Sequence, residues 1–231
     1  MQTASTSPAL LPSLSPQSLA DFQAHLARLF HVEEYFGRHR AEVEEFIGAR
    51  FAEMHGAQIR QFMPRLLSLR SKRGDLIAAF GLRSAETSSL FLENYLSQPI
   101  ESVLQSRLSQ PVAREEIIEV GHLSALYPGA ARWLIVAVTA LLQQEGYRWV
   151  TFTGTAGLRN GFHRLGLRPV ELGDATLAHL PESQRAAWGS YYDHGPKVMA
   201  GDIAHGYQAL ISRGDLSELL RGGLASVEAH A

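Results

Sequence analysis

The sequence predicts an α/β domain in which helices flank a twisted, mainly antiparallel sheet that splays at a central parallel strand pair. The first observation is the stretch 115–167, which reads as strand, turn, helix, strand, helix. Strand Ile117–Ala125, turn Tyr127-Pro128-Gly129, a buried helix from Ala130 to about Glu145, strand 147–153 and a short helix through Asn160 and Phe162 follow in close succession. Two strands joined by a crossover helix lie parallel. The second observation is a hairpin, with strands at 66–70 and 76–82 around the polar tip Ser71-Lys72-Arg73-Gly74-Asp75. The third is a pair of strand-length runs at 168–172 and 197–200, the latter suited to close the sheet.

At 231 residues, with 45% hydrophobic and 19% charged side chains, the chain can bury a substantial core as one domain. A formal net charge of -2 exerts no general pull toward nucleic acid or anionic membrane, and no aromatics interleave with basic runs, so no nucleic-acid partner is expected. The absence of cysteine excludes disulfides, a thiol nucleophile and thiolate metal sites, and fits a reducing, cytoplasmic compartment. The longest apolar run, 133–142, is about half of the ~20 residues a membrane span needs. It predicts a buried helix and no transmembrane segment. The first twenty residues carry no charge, and Pro8, Pro12 and Pro16 interrupt their only apolar stretch. A disordered leader over 1–18 is expected, with 19–231 forming a single domain that ends in a helical extension.

In chain order, residues 19–30 have the pattern of a short amphipathic helix, and a second helix is expected over 38–55. There Val43, Phe46, Ile47, Phe51 and Met54 recur at helical spacing, so this helix should pack on a sheet. Segment 89–96 fits either a strand or a helical turn. Residues 100–108 have helical spacing, with Pro99 suited to a first turn and Pro111 as a stop. Beyond the central unit, 181–192 reads as one helix, and 202–226 as helical with breaks at Gly206, Gly214 and Gly222.

Several stretches carry a resemblance: Leu90-Phe91-Leu92-Glu93-Asn94-Tyr95-Leu96 with Pro99-Ile100-Glu101, Glu119-Val120-Gly121-His122-Leu123, Phe152-Thr153-Gly154-Thr155, Leu158-Arg159-Asn160-Gly161-Phe162-His163-Arg164-Leu165-Gly166-Leu167, and Trp188-Gly189-Ser190-Tyr191-Tyr192. With them, the span from about Val43 to Gly206 resembles the thermostable hemolysin family, whose members resemble GNAT-type acyltransferases and, more closely, acyl-homoserine-lactone synthases and long-chain N-acyl amino acid synthases. The resemblance implies a GNAT-like fold and an acyl thioester as co-substrate, with no permanently bound cofactor. It sets Leu123, Ser124 and Ala125 beside the donor's pantetheine arm and Asn160 against it. Gly129, Ala130 and Ala131 would supply phosphate-binding N–H groups, with Arg132 as a nearby cation. One glycine and one arginine make a poorer diphosphate cradle than the longer basic, glycine-rich loop of acetyltransferases. That favours acyl-carrier protein, which has one phosphate, over coenzyme A.

Glu119 lies in an apolar strand, where a carboxylate is costly unless paired or near water. It is a candidate proton acceptor for an attacking amine, directly or through water; the alternative is an ion pair with Arg114 or Arg159. In a regular strand it shares a face with Gly121 and Leu123, while Val120, His122 and Ser124 face the other way. Glu93, another acid among apolar neighbours, would orient the acceptor's amine or close a helix end. His122 would relay a proton or sit as a satisfied core histidine. Asn160 has a plain alternative as the cap of a helix beginning near Gly161. No His-Glu-x-x-His, Gly-x-Ser-x-Gly or phosphate-loop pattern occurs, so neither a zinc site nor a serine hydrolase is expected. Together these readings predict an N-acyltransferase acting on the amine of a small metabolite such as an amino acid. The competing readings are a membrane-active, hemolytic protein and a non-catalytic module that binds acyl thioesters.

Overall fold

Strands β1 (His31–Tyr35), β2 (Arg65–Arg70), β3 (Leu76–Ser84), β4 (Ile117–Ala125), β5 (Trp149–Gly154), β6 (Val170–Asp174) and β7 (Lys197–Asp202) form one sheet in the order β1-β2-β3-β4-β5-β7-β6. The computed structural model describes residues 31–35, 40–71 and 73–212. The leader over 1–18, the helix over 19–30 and the extension past residue 212 lie outside the described residues. The helices are α1 (Arg40–His55), α2 (Ile100–Leu108), α3 (Pro128–Gln144), α4 (Ala156–Arg164), the single turn α5 (Glu182–Arg185) and α6 (Ile203–Ser212). All neighbouring strands run antiparallel except β4 and β5, which pair in parallel because α3 carries the chain back across the sheet. This is the mixed α/β architecture expected from the sequence, a mainly antiparallel sheet with one parallel pair. None of these helices is long and apolar enough to cross a membrane.

The parallel pairing covers only Ile117↔Trp149 to Val120↔Phe152, although β4 continues to Ala125. The cause lies on the other edge of β4. Pairing with β3 steps from Gly81↔Gly121 to Ala79↔Ser124, so three steps along β4 match two along β3. The extra residue is accommodated at His122, whose φ is 53°. A bulge of this kind bends its strand and sharpens its twist, and here it turns the end of β4 away from β5.

One face of the sheet is covered by α3, α4 and α6. Ile118, Val120 and Phe152 pack there against Trp133, Leu134, Val138, Leu142 and Ile203. The opposite face is covered in two parts. Val43 and Ile47 of α1 pack with Met63 on Leu66 and Ala79. Leu92, Ile100 and Leu104 pack on Ile117, Trp149 and Val198. The stripe on α1 thus packs inward as expected, except that Met54, one residue before the helix ends, is 61% exposed. Segment 89–96 takes the helical alternative, as a 3₁₀ turn over Phe91–Tyr95.

Four features depart from what the sequence predicts. Strand β1 was not read from the sequence because Glu33 and Glu34 break any apolar alternation; such charges suit an edge strand, and Glu34 pairs with Arg65 of β2. Strand β7 does not close the sheet but sits between β5 and β6. The single helix over 181–192 is instead α5 followed by 3₁₀ turns at Ala186–Trp188 and Tyr191–His194. The break occurs where the chain docks on the end of α1, with Gln58 N–H bonding the Ala187 carbonyl and Ser190 N–H bonding the His55 carbonyl, at 2.7 and 2.8 Å. Tertiary hydrogen bonds have replaced helical ones. Helix α6 also runs through Gly206 without a break, lying there beside Leu167 and Thr139.

Gly189 is the residue that permits the docking. Its φ is 51°, and a Cβ there would lie 2.0 Å from the His55 carbonyl oxygen. Gly195 has a similar φ of 53° but open space around it. Gly195→Ala should therefore cost ~1–2 kcal/mol, the penalty for a left-handed L-residue. Gly189→Ala should cost more than ~3 kcal/mol, because a backbone carbonyl cannot step aside. Denaturant unfolding of both variants checks the order.

Candidate active site

The bulge changes which side chains of β4 meet. A regular strand would put His122 and Leu123 on the opposite faces from those observed. Leu123 instead joins Val120 and Phe152 in lining an apolar cavity of about 210 Å³ on the α3 side, with Ile135, Val138 and Phe162 as further walls. His122 turns toward α1, its ring 6.3 Å from Phe51 and 5.5 Å from Phe62. Glu119 faces the same side. A continuous series of ring contacts joins the two neighbourhoods: Phe51 to Tyr191, Tyr191 to Trp188, and Trp188 to Phe91, at 6.2, 5.5 and 5.6 Å.

Glu119 is 3% exposed, and its carboxylate accepts the backbone N–H groups of Phe91 and Leu92 at 2.8 and 2.9 Å. It therefore sits at the N-terminus of the 3₁₀ turn, where free N–H groups favour an anion. Burial nevertheless dominates and pushes its pKa up to about 7, against the pull of those two N–H groups and of the Arg83 charge. The ion pair expected with Arg114 or Arg159 is not made. Arg114 binds Glu93, and Arg159 donates to the carbonyls of Gly154 and Gly195.

Glu93 stands in a different environment only a turn away. Burial raises its pKa, but the Arg114 guanidinium at 2.7 and 2.9 Å and the N–H groups of Ile100 and Leu90 outweigh it and hold the carboxyl at about 2. Ile100 opens α2, so Glu93 closes a helix end, one of the two roles considered for it.

His122 is held neutral, pushed down to about 4 by burial and by the charges of Arg83 and Arg40, against a hydrogen bond to the Gln61 backbone. Its Nδ1 is buried without a partner. The nitrogen bonded to Gln61 is then Nε2, which donates to the carbonyl and leaves the lone pair on Nδ1. Beside it, Tyr191 reaches Thr153 at the end of β5, and Tyr95 shares a 2.5 Å hydrogen bond with Tyr192. Burial raises the pKa of all three phenols, so they stay protonated. None of these aromatics was assigned a role from the sequence. The signal available was the density of rings in 188–192.

Past Leu123, Ser124 is buried on the α1 side opposite its partner Ala79 and donates to the His122 carbonyl at 3.0 Å, while Ala125 returns to the face of Leu123. Helix α3 starts at Pro128, two residues earlier than expected, with Tyr127 as a cap residue that makes no side-chain cap bond. Ala131 already donates to the Tyr127 carbonyl at 3.3 Å. Of the three amides expected to face a phosphate, those of Gly129 and Ala130 remain at the helix opening, with Arg132 exposed one turn on. Asn160 is exposed within α4, whose cap residue is Thr155, so it does not cap the helix. Among the described residues, no three metal-ligating side chains gather.

A family model described as thermostable hemolysin matches residues 34–207. No curated protein sequence matches the chain. Among solved structures, the chain is similar to FeeM, an N-acyl amino acid synthase from uncultured soil microbes, at 13% identity and a TM-score of 0.53, over 77% of this chain and 92% of that one. It is similar to BjaI, a CoA-dependent acyl-homoserine lactone synthase, at 16% identity and 0.54, over 80% and 88%. It is also similar to TofI, at 15% identity and 0.53, over 78% and 95%. At these identities the likeness is one of fold.

The Glu93 environment has a measurable signature. A carboxyl held low in the folded state contributes stability above its unfolded pKa and loses it as pH falls toward its folded value. The stability gap between wild type and Glu93→Gln should be widest at neutral pH and should close as pH falls from about 4.5 to about 2. Thermal unfolding across that range reads it directly.

Proposed function

The chain belongs to the thermostable hemolysin family, and from that premise we propose that it is a cytoplasmic N-acyltransferase moving a long-chain acyl group from a thioester to the amine of a small metabolite such as an amino acid. One observation carries this reading. Where β4 parts from β5, the bulge directs Leu123 to an apolar cavity on one face while Glu119 and His122 face an aromatic-walled site on the other. An acyl chain and a polar acceptor can then approach one carbonyl from opposite sides. The likeness in fold to FeeM, an N-acyl amino acid synthase, and to BjaI, a CoA-dependent acyl-homoserine lactone synthase, supports the same chemistry.

In this reading the acyl chain fills the cavity between Val120, Leu123, Val138 and Phe152. The pantetheine runs along Leu123, Ser124 and Ala125, and its phosphate meets the amides of Gly129 and Ala130 with Arg132 nearby. The thioester carbonyl lies in the gap between the strands, where N–H groups of the bulge stabilise the oxyanion. The acceptor nitrogen attacks the carbonyl carbon, the C–N bond forms, the C–S bond breaks, and the thiol leaves with a proton. Glu119 takes the ammonium proton through a water, since each of its oxygens has a lone pair beyond the one bonded to Phe91 or Leu92. The Nδ1 lone pair of His122 offers a relay. Glu93 serves by holding the start of α2 and the 3₁₀ turn on which Glu119 rests.

The test is mass spectrometry of lipid extracts from expressing cells, paired with assays of purified protein. N-acylated products should appear with wild type and drop away with Glu119→Gln. Lysis of red cells by purified protein, with no N-acylated product in any extract, would overturn the reading in favour of a membrane-active protein.

Two outcomes follow for the isolated reaction. Glu119 is a base only when ionised, so kcat/KM should rise with pH along a limb centred near 7. Glu119→Gln should lose ~10²- to 10⁴-fold in turnover and should lose that limb. The short cradle of two amides and one arginine should make acyl-carrier protein a better donor than coenzyme A carrying the same acyl chain. Side-by-side rates decide it, and faster turnover of the coenzyme A thioester would sink it.

A further inference from the structure

We propose that Arg83 binds the carboxylate of the acceptor and thereby selects α-amino acids over simple amines; this rests on the N-acyltransferase reading. Arg83 of β3 is the register partner of Glu119 of β4, so the two side chains leave the same face of the sheet as direct neighbours. Partly buried arginines elsewhere are committed. Arg40, Arg50, Arg65, Arg70, Arg114 and Arg148 pair with carboxylates, and Arg159 and Arg185 donate to backbone carbonyls at 2.8–2.9 Å. Arg83 makes no ion pair among the described residues, and its one hydrogen bond, to the Ser89 carbonyl, is 3.4 Å long. Five guanidinium donors in a half-buried position with a single long bond leave most of the fork unused.

The fork opens on a polar groove of about 800 Å³ walled by Ser88, Ser89, Asn94 and Arg114. Glu93 and Glu101 also line this groove but are held by Arg114, and Glu86 stands exposed at its rim. With acids around it and one free guanidinium, the groove suits a monoanion better than a phosphate. A planar carboxylate matches a single guanidinium in bidentate fashion. Cross-strand partners have Cβ atoms ~5 Å apart, and in an α-amino acid the amine is two bonds from the carboxylate carbon. A carboxylate seated on Arg83 therefore puts the nucleophilic amine near Glu119, which lies buried behind the Phe91 turn that walls the groove. The charge of Arg83 is also felt at both Glu119 and His122, which places it within reach of the same small volume.

The experiment compares acceptors that differ only in the carboxylate, leucine against isopentylamine and tyrosine against tyramine, with one acyl donor and thiol release as the readout. Wild type should prefer the amino acids in kcat/KM. Arg83→Gln should cut that preference ~10- to 100-fold, the worth of hydrogen bonds to a charged group, and Arg83→Lys should fall between because it keeps the charge and loses the fork. Taking the ratio within each variant cancels any change in Glu119 or in donor binding. An unchanged ratio in a folded Arg83→Gln, or equal use of amines and amino acids by wild type, overturns the assignment and leaves the acyltransferase reading standing. Absence of acceptor-dependent thiol release with amines and amino acids alike overturns both. Should Arg83→Gln fail to fold, the wild-type ratio and Arg83→Lys decide the matter.

Discussion

The organisation of this molecule depends on one extra residue in β4. A strand buried on both faces should pair fully with its neighbours, because each unpaired backbone group taken from water costs free energy. At His122 the strand gives up that regularity, and the consequences run in two directions. The ladder to β5 ends after Val120, which opens the sheet, and the alternation of side chains reverses, which sends Leu123 to the apolar cavity and His122 to the aromatic side. Strain of this kind in a bulky residue is stable only where the surroundings hold it, and the rings of Phe51 and Phe62 together with the Gln61 bond do so here.

Glu93 and Glu119 show how the same side chain acquires opposite properties within one neighbourhood. Both accept two backbone N–H groups from the same short segment of chain. Glu93 adds a bidentate arginine and retains some solvent, so the ionised form wins. Glu119 has no paired cation and is almost wholly buried, so desolvation wins and the proton is held to about neutral pH. The first arrangement stiffens a turn. The second leaves a carboxylate poised to exchange a proton, which is costly to keep in a core unless something uses it.

The aromatic wall links these parts mechanically. Trp188 and Tyr191 hang over the site because the chain between α5 and β7 gives up helical bonds to dock on the last turn of α1. The element that covers Glu119 and the element that contacts His122 are therefore held in register with each other through Gly189, far from either residue in sequence.

Much of the architecture was legible in the sequence because it rests on local pattern. The period-two and period-3.6 placement of apolar residues located β2, β3, β4, α1, α2 and α3, and the crossover through α3 required β4 and β5 to be parallel. The acids Glu93 and Glu119 stood out because charge inside an apolar run is unusual. What sequence could not supply were the features decided by contacts between distant segments. Alternation assumes an unbroken strand, so it placed His122 and Leu123 on the wrong faces. The partners of Glu119 are backbone amides 27 and 28 residues away, and backbone amides carry no sequence signature. Helical spacing in 181–192 was real, yet the docking bonds to α1 outweighed it. Local periodicity reports what a segment can form, whereas the bulge, the burial of Glu119 and the aromatic wall exist only once tertiary packing has chosen which hydrogen bonds are made.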